Sequence, residues 1–210
     1  MFIEPAALLV FLMATTAICI TPGPDMLYIL ANGLTKGPAA GFTAACGMAL
    51  GMVCHTAAVA LGLSALLATV PLAFEIVRYV GAAYLLWLAV KSFREPAIQV
   101  GAVETAAAPL RRIFWQALAT NLLNPKIALF YLAFLPQFAS PANGSVAGQL
   151  LMLGVLFVIV GLLVDSVIGV LSGRVGLTLL RNRQVAAALK WLPGVVFIGL
   201  AARLVLAERR

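Results

Sequence analysis

The chain has 210 residues, of which 63% are hydrophobic and 10% are charged, and its mean hydropathy is +1.08. Soluble domains carry about 25% charged residues, so this composition excludes an ordinary soluble domain. The net charge of +7 does not indicate a nucleic-acid partner, because the basic residues fall between apolar runs instead of forming one stripe. The composition indicates a polytopic membrane protein surrounded by lipid.

Six apolar runs are long enough to cross a bilayer, which takes about 20 residues. They lack the alternation of barrel strands, so we predict six transmembrane helices. The runs lie near residues 6–31, 39–67, 71–90, 114–137, 146–171 and 187–207. The predicted fold is therefore all-α: one multi-pass helix bundle over residues 1–210. No basic region precedes the first run, which we interpret as a retained span.

Basic residues in the short connections predict the orientation of the bundle. Nine lie on one side of the six-span arrangement and four on the other, which puts the first group in the cytoplasm and both termini outside. Residues 92–113 are then a cytoplasmic linker. This linker separates two halves of three spans, and the odd number makes the halves candidates for a 3+3 inverted repeat, as in many secondary transporters.

The first span contains a predicted break. Five residues form it: Thr21, Pro22, Gly23, Pro24 and Asp25. The prolines lack N–H donors and disfavour helix at the residue before each of them. A new helix is expected to start at Pro24, leaving the amides of Met26, Leu27 and Tyr28 free as an anion site. The alternative is a plain loop between a short first helix and an interfacial helix.

A second break is predicted in the fourth run, at Asn124, Pro125 and Lys126. Pro125 pushes Asn124 out of helical geometry. Lys126 is followed by apolar and aromatic residues, so its ammonium either reaches for the membrane surface or faces a polar interior. One break in each half is the pattern expected of a transporter site.

Asp165 lies deep in the fifth run. A carboxylate inside the membrane is costly and indicates a function by default. Together with Asp25, it is a candidate for taking and releasing coupling protons. The alternative is a structural salt bridge, for which Arg174 is too far along the helix to be an obvious partner.

Glycines recur along the second run, as Gly37-xxx-Gly41 and Gly47-xxx-Gly51. This spacing allows close helix packing; the alternative is a face cleared for substrate passage, and the stripe would also permit a homodimer. The three cysteines lie in apolar runs without CxxC spacing, and the single His55 has no second ligand. The sequence therefore predicts no disulfide framework, no metal site and no other cofactor.

Four blocks of sequence resemble a known family. They are TPGPDMLYILANGLTKGPAAGFTAACGMALG from residue 21, GLSALL at 62–67, YVGAAYLLWLAVKSFR at 79–94 and FWQALATNLLNPKIALFYLAFLPQF at 114–138. Their order and spacing resemble the LysE/RhtB superfamily of bacterial amino-acid exporters, and look closer to its threonine/homoserine branch than to its basic amino-acid branch. The resemblance implies a six-span efflux permease of the bacterial plasma membrane that exchanges amino acids for protons.

Together these features predict alternating access around a site between the broken first and fourth spans. The amides after Pro24 and Lys126 would receive the substrate carboxylate, and Asp25 or Asp165 its ammonium. Tyr28, with Phe130 and Tyr131, would form the walls.

Two other classes of function compete with this prediction. An intramembrane enzyme would need a GxSxG turn, a metal cluster or a carboxylate pair, and none appears in the sequence. A structural membrane subunit would tolerate the loss of Asp25 or Lys126 apart from any effect on folding.

Overall fold

The computed structural model describes residues 3, 5–63, 71–94 and 108–181, together with 191, 194, 195, 197–199, 201, 202 and 205 near the C-terminus. This part of the chain is helical and contains no strand, which confirms the all-α prediction. Most of the sixth predicted span, near 187–207, and of the linker 92–113 lies outside the described residues. The count of six spans and the inverted repeat therefore stay predictions.

The first predicted span consists of two helices, α1 (Pro5–Ile20) and α2 (Pro24–Lys36), which meet at 56°. The predicted break is confirmed: Gly23 is fully extended, with φ −167° and ψ 177°, and Pro24 starts α2. Helix α2 ends at Gly37, whose φ of 87° lies in the left-handed region that favours glycine.

The fourth predicted span is broken in the same way. Helix α5 (Leu110–Leu122) meets α6 (Pro125–Leu129) with a bend of 47°. The side chain of Asn124 caps α6 by accepting a hydrogen bond from the Lys126 amide at 3.0 Å. Helix α6 then continues as a π-helical turn (Phe130–Phe134) and a 3-10 turn (Leu135–Phe138).

Three other helices complete the described fold: α3 (Pro38–Ala58), which continues as a π-helical turn (Val59–Leu63), α4 (Pro71–Arg94) and α7 (Val146–Arg181). Among the described residues, two stretches are long and apolar enough to cross a membrane, Pro38–Gly62 and Val146–Arg174. The number rises to four if each bent pair forms one span. A short 3-10 turn (Pro141–Asn143) precedes α7.

The glycine stripe of α3 packs against other helices of this chain. A Cβ on Gly41 would lie 2.6 Å from the carbonyl carbon of Gly169 on α7, and a Cβ on Gly47 would lie 2.7 Å from Ala117 on α5. The close-packing interpretation of this motif is therefore confirmed. These contacts place α3 between α5 and α7.

Apolar and polar residues are distributed as expected for a bundle in lipid. Large apolar side chains are exposed along α3 and α7; examples are Phe42, Val53, Val155, Ile159, Leu163 and Val167. Several polar side chains lie inside the bundle, among them Asp25, Asn121, Asn124, Lys126 and Asp165. These buried polar groups are the candidates for an internal site.

Candidate functional site

An ion pair joins the two broken spans at their breaks. Lys126 Nζ lies 2.9 Å from Asp25 Oδ1, and the two side chains are only 3% and 5% exposed. The ammonium also donates to the carbonyl oxygens of Ile18, at 3.2 Å, and Thr21, at 3.1 Å. All three N–H donors of the lysine thus have acceptors within the protein. Lys126 therefore faces a polar interior, as one of its two interpretations predicts.

The break in the first span provides the two carbonyl acceptors. The usual helical partner of the Ile18 carbonyl is the amide four residues later, and that residue is Pro22, which has no N–H. The C-terminal end of α1 also carries a negative partial charge and the N-terminal end of α2 a positive one. The ammonium lies at the first end, and Asp25 lies in the first turn of α2. The helix ends therefore stabilise both members of the pair.

Gly23 leaves room for the ion pair. A Cβ at this position would lie 2.9 Å from Asp25 Oδ1 and 3.1 Å from Lys126 Nζ. The backbone of Gly23 is extended, a conformation open to any residue. Glycine is therefore needed here for space and not for its backbone freedom.

Asp165 is a third ionisable residue inside the bundle. It is 3% exposed, and its Oδ2 atom has no hydrogen-bond partner among the described residues. Both carboxylates predicted for proton coupling are therefore buried, and Asp25 is the one that pairs with Lys126.

Two predicted donors are already used. Lys126 donates all its N–H groups within the protein, and the Leu27 amide donates to Gly23 O at 2.9 Å. The expectation that the Leu27 amide is free for an anion is therefore wrong, because α2 forms its first helical hydrogen bond there. Asn124, by contrast, keeps a buried Nδ2 with no acceptor in the described part of the chain.

The predicted wall residues make contacts with other helices or pack in the core. The hydroxyl of Tyr28 reaches Ile113 O and Gln116 Oε1 on α5, at 3.2 and 3.1 Å. Tyr131 is fully buried, and its hydroxyl lies 3.0 Å from Thr56 Oγ1 on α3. Phe130 is also buried in the aromatic core.

Two buried polar groups are not among the sequence predictions. One is the Ile18 carbonyl of the site, which the spacing to Pro22 does indicate, since a proline four residues on removes its usual donor. The other is Asn121 near the end of α5, which is fully buried with neither amide atom partnered within the described residues. No sequence pattern distinguishes Asn121 from an exposed polar residue at a helix end.

Comparisons with known proteins show which family the sequence matches. The sequence matches the family described as LysE type translocator over residues 16–208. The leucine efflux protein of Klebsiella pneumoniae subsp. pneumoniae is 32% identical over 93% of this chain and 93% of its own. That of Salmonella typhimurium is 33% identical over 92% of each chain. An uncharacterized membrane protein of Vibrio cholerae is 28% identical over 95% of this chain and 97% of its own. No solved structure matches the chain.

Proposed function

Because this chain belongs to the LysE type translocator family, we propose that it exports amino acids across the bacterial plasma (inner) membrane. The observation that carries the proposal is the buried ion pair between Lys126 and Asp25, held at the breaks of two bent helices. Transporter sites lie at such discontinuous helices, where irregular backbone lines the path of the substrate. Membership of a translocator family also argues against the alternative function of an intramembrane enzyme.

The ion pair suits a zwitterion in particular. Removing one partner of a buried pair costs about 3–5 kcal/mol, because the other charge is left uncompensated. An amino acid brings both charges at once: its carboxylate replaces Asp25 at Lys126, and its ammonium replaces Lys126 at Asp25. The pair then opens without an unpaired charge. Asn124 Nδ2, which has no acceptor among the described residues, supplies a further donor to the carboxylate.

For the substrate side chain we propose a neutral, mainly apolar group. One helical turn before Asp165, Gly161 packs against Met52 and Cys19: a Cβ there would lie 2.6 Å from the Met52 sulfur and 3.7 Å from the Cys19 sulfur. The packing around Gly161 is therefore apolar. The names of the leucine efflux relatives also indicate a neutral, apolar substrate side chain. Because the sequence also resembles the threonine/homoserine branch, threonine and homoserine must be tested as substrates too.

Proton antiport is the coupling that we propose. Two buried carboxylates, Asp25 and Asp165, lie inside the bundle with the Lys126 ammonium, and one Asp165 oxygen has no hydrogen-bond partner in the described part of the chain. A proton on either carboxylate leaves one negative charge for one positive charge. Asp25 and Asp165 can therefore exchange a proton in step with the arrival and departure of the substrate ammonium.

We also propose that the two bent spans are equivalent elements of a 3+3 inverted repeat with six spans in all. Both breaks follow a helix of similar length and precede a proline-initiated helix. A homodimer would use a surface other than the glycine stripe, since Gly41 and Gly47 contact helices of the same chain.

Export is tested with purified protein in liposomes loaded with radiolabelled leucine, threonine, homoserine or lysine. We expect efflux of at least one neutral amino acid, driven by an inward proton gradient and lost in Lys126→Met. The matched control is Lys36→Met, because Lys36 donates to Asn32 at the other end of α2. A structural membrane subunit would give no flux with any of the four, which would refute the proposal.

A further inference from the structure

The environment of the Lys126 ammonium has the form of a binding site. Its three acceptors are Ile18 O, Thr21 O and Asp25 Oδ1, which we call the oxygen cage. They come from the end of α1, the break and the start of α2. Lys126 itself is 101 residues from Asp25 in sequence and reaches the cage from α6. The first span therefore forms the cage, and the fourth span supplies its occupant.

We infer that the oxygen cage is the receptor for the α-ammonium of the substrate, and that Lys126 Nζ is a tethered stand-in that occupies it between transport events. This inference rests on the proposed function and adds that the substrate must be a primary amine. A primary ammonium carries three N–H donors, as lysine does, and the cage offers one acceptor for each of them.

The number of cage oxygens favours a primary ammonium over a divalent metal ion. The cage has three oxygens, whereas Ca²⁺ takes about six to eight oxygen ligands. Two neutral carbonyls and one carboxylate also carry a single negative charge, which matches a monovalent cation.

The three donors of a primary ammonium match the three acceptors of the cage. An N-methyl group on a substrate would remove one of these donors. Because one hydrogen bond to a charged group is lost, we expect N-methyl amino acids to bind about ten- to a hundredfold more weakly than their parents.

The first test uses the wild-type protein, so it does not depend on the folding of a variant. The amino acid that is exported best is competed with its own N-methyl derivative and with the corresponding amino acid methyl ester, which keeps the primary amine. We expect half inhibition by the N-methyl derivative at a concentration about ten- to a hundredfold higher than by the unlabelled parent amino acid. Equal inhibition by the parent and its N-methyl derivative would overturn the inference. The ester tests the amine end of the substrate alone, because it has no free carboxylate. Inhibition by the ester would show that the protein binds the amine without the carboxylate.

The second test removes the tethered cation. In Lys126→Ala the cage is left without its ammonium, so we expect methylammonium to raise the melting temperature in a saturable way. Tetramethylammonium, which has no N–H donor, is the chemical control, and Asp25→Asn/Lys126→Ala, which lacks the carboxylate, is the variant control. Stabilisation by Na⁺ but not by methylammonium would overturn the inference, as would equal effects of the two alkylammonium ions.

The two proposals fail differently. If wild-type protein moved no amino acid, the proposed function would fall, and the melting experiment on Lys126→Ala would still measure whether the cage binds a primary ammonium. If amino acids were exported while their N-methyl derivatives competed equally, the function would stand and the cage would not be the ammonium receptor.

Discussion

Gly23 is the position where the smallest chemical change should have the largest effect on the site. An alanine Cβ would lie 2.9 Å from Asp25 Oδ1, and ordinary contact begins at 3.4 Å, so the carboxylate must recede by about half an ångström. The 2.9 Å ion pair then exceeds good hydrogen-bond length. A substrate ammonium that takes the place of Lys126 Nζ would meet the same displaced carboxylate. Loss of one of its hydrogen bonds to a charged group, about 1.5–3 kcal/mol, predicts a ten- to hundredfold loss of substrate affinity in Gly23→Ala.

Folding should change much less than affinity in this variant. The backbone of Gly23 is extended, so alanine fits without strain, and replacing glycine lowers the freedom of the unfolded chain by about 0.4–1 kcal/mol. This gain in the free energy of unfolding offsets part of the loss caused by the weaker ion pair. The measurement is substrate affinity in detergent, from tryptophan fluorescence or scintillation proximity, with the melting temperature recorded on the same sample.

Gly62→Ala is the matched control, because a Cβ on Gly62 would meet nothing within 4 Å. We expect wild-type affinity for this variant. If Gly23→Ala and Gly62→Ala bound substrate equally well, the ion pair would not be part of the substrate site, and the reasoning from its geometry would be refuted.

Three further predictions concern charge and topology. Lys126→Met and Asp25→Asn should each lower the free energy of unfolding by about 3–5 kcal/mol. The double variant should lose less than the sum of the two single losses. Additive losses in chemical unfolding would mean that the two charges do not interact. Asp25→Asn combined with Asp165→Asn should abolish flux driven by a pH gradient while the protein still inserts, and unchanged gradient-driven flux in liposomes would exclude both carboxylates from coupling. Cysteines placed at residues 104 and 182 should react with a membrane-impermeant maleimide only after the cells are broken open and the reagent reaches the cytoplasmic side. Labelling of either cysteine from outside intact cells would show that the predicted orientation is wrong.

The breaks were predictable from sequence because proline acts locally. Pro22, Pro24 and Pro125 each remove a donor and restrict the residue before them, so both bends follow from a few residues. The same local chemistry explains why Asn124 caps the helix that begins at Pro125.

The pairing of Lys126 with Asp25 was not predictable, because it depends on how two distant spans pack. Sequence analysis assigned these residues to opposite ends of the substrate, and the structure places them against each other. The acceptors of the Lys126 ammonium thus depend on tertiary contacts, whereas the Leu27 amide is used locally, by the Gly23 carbonyl four residues before it. Hydropathy likewise places the end of the fifth apolar run near residue 171, whereas α7 continues to Arg181, since helical hydrogen bonds do not require an apolar sequence.

The glycine contact between α3 and α7 has a mechanical consequence. Cβ positions on Gly41 and Gly173 would fall within 2.6 Å of backbone atoms of the opposite helix, so any larger residue at these positions would force the two helices apart. The two helices belong to different halves of the chain, on either side of the linker 92–113. If the site opens alternately to the two sides of the membrane, we expect α3 and α7 to keep this contact and the short helices beside the two proline breaks to move.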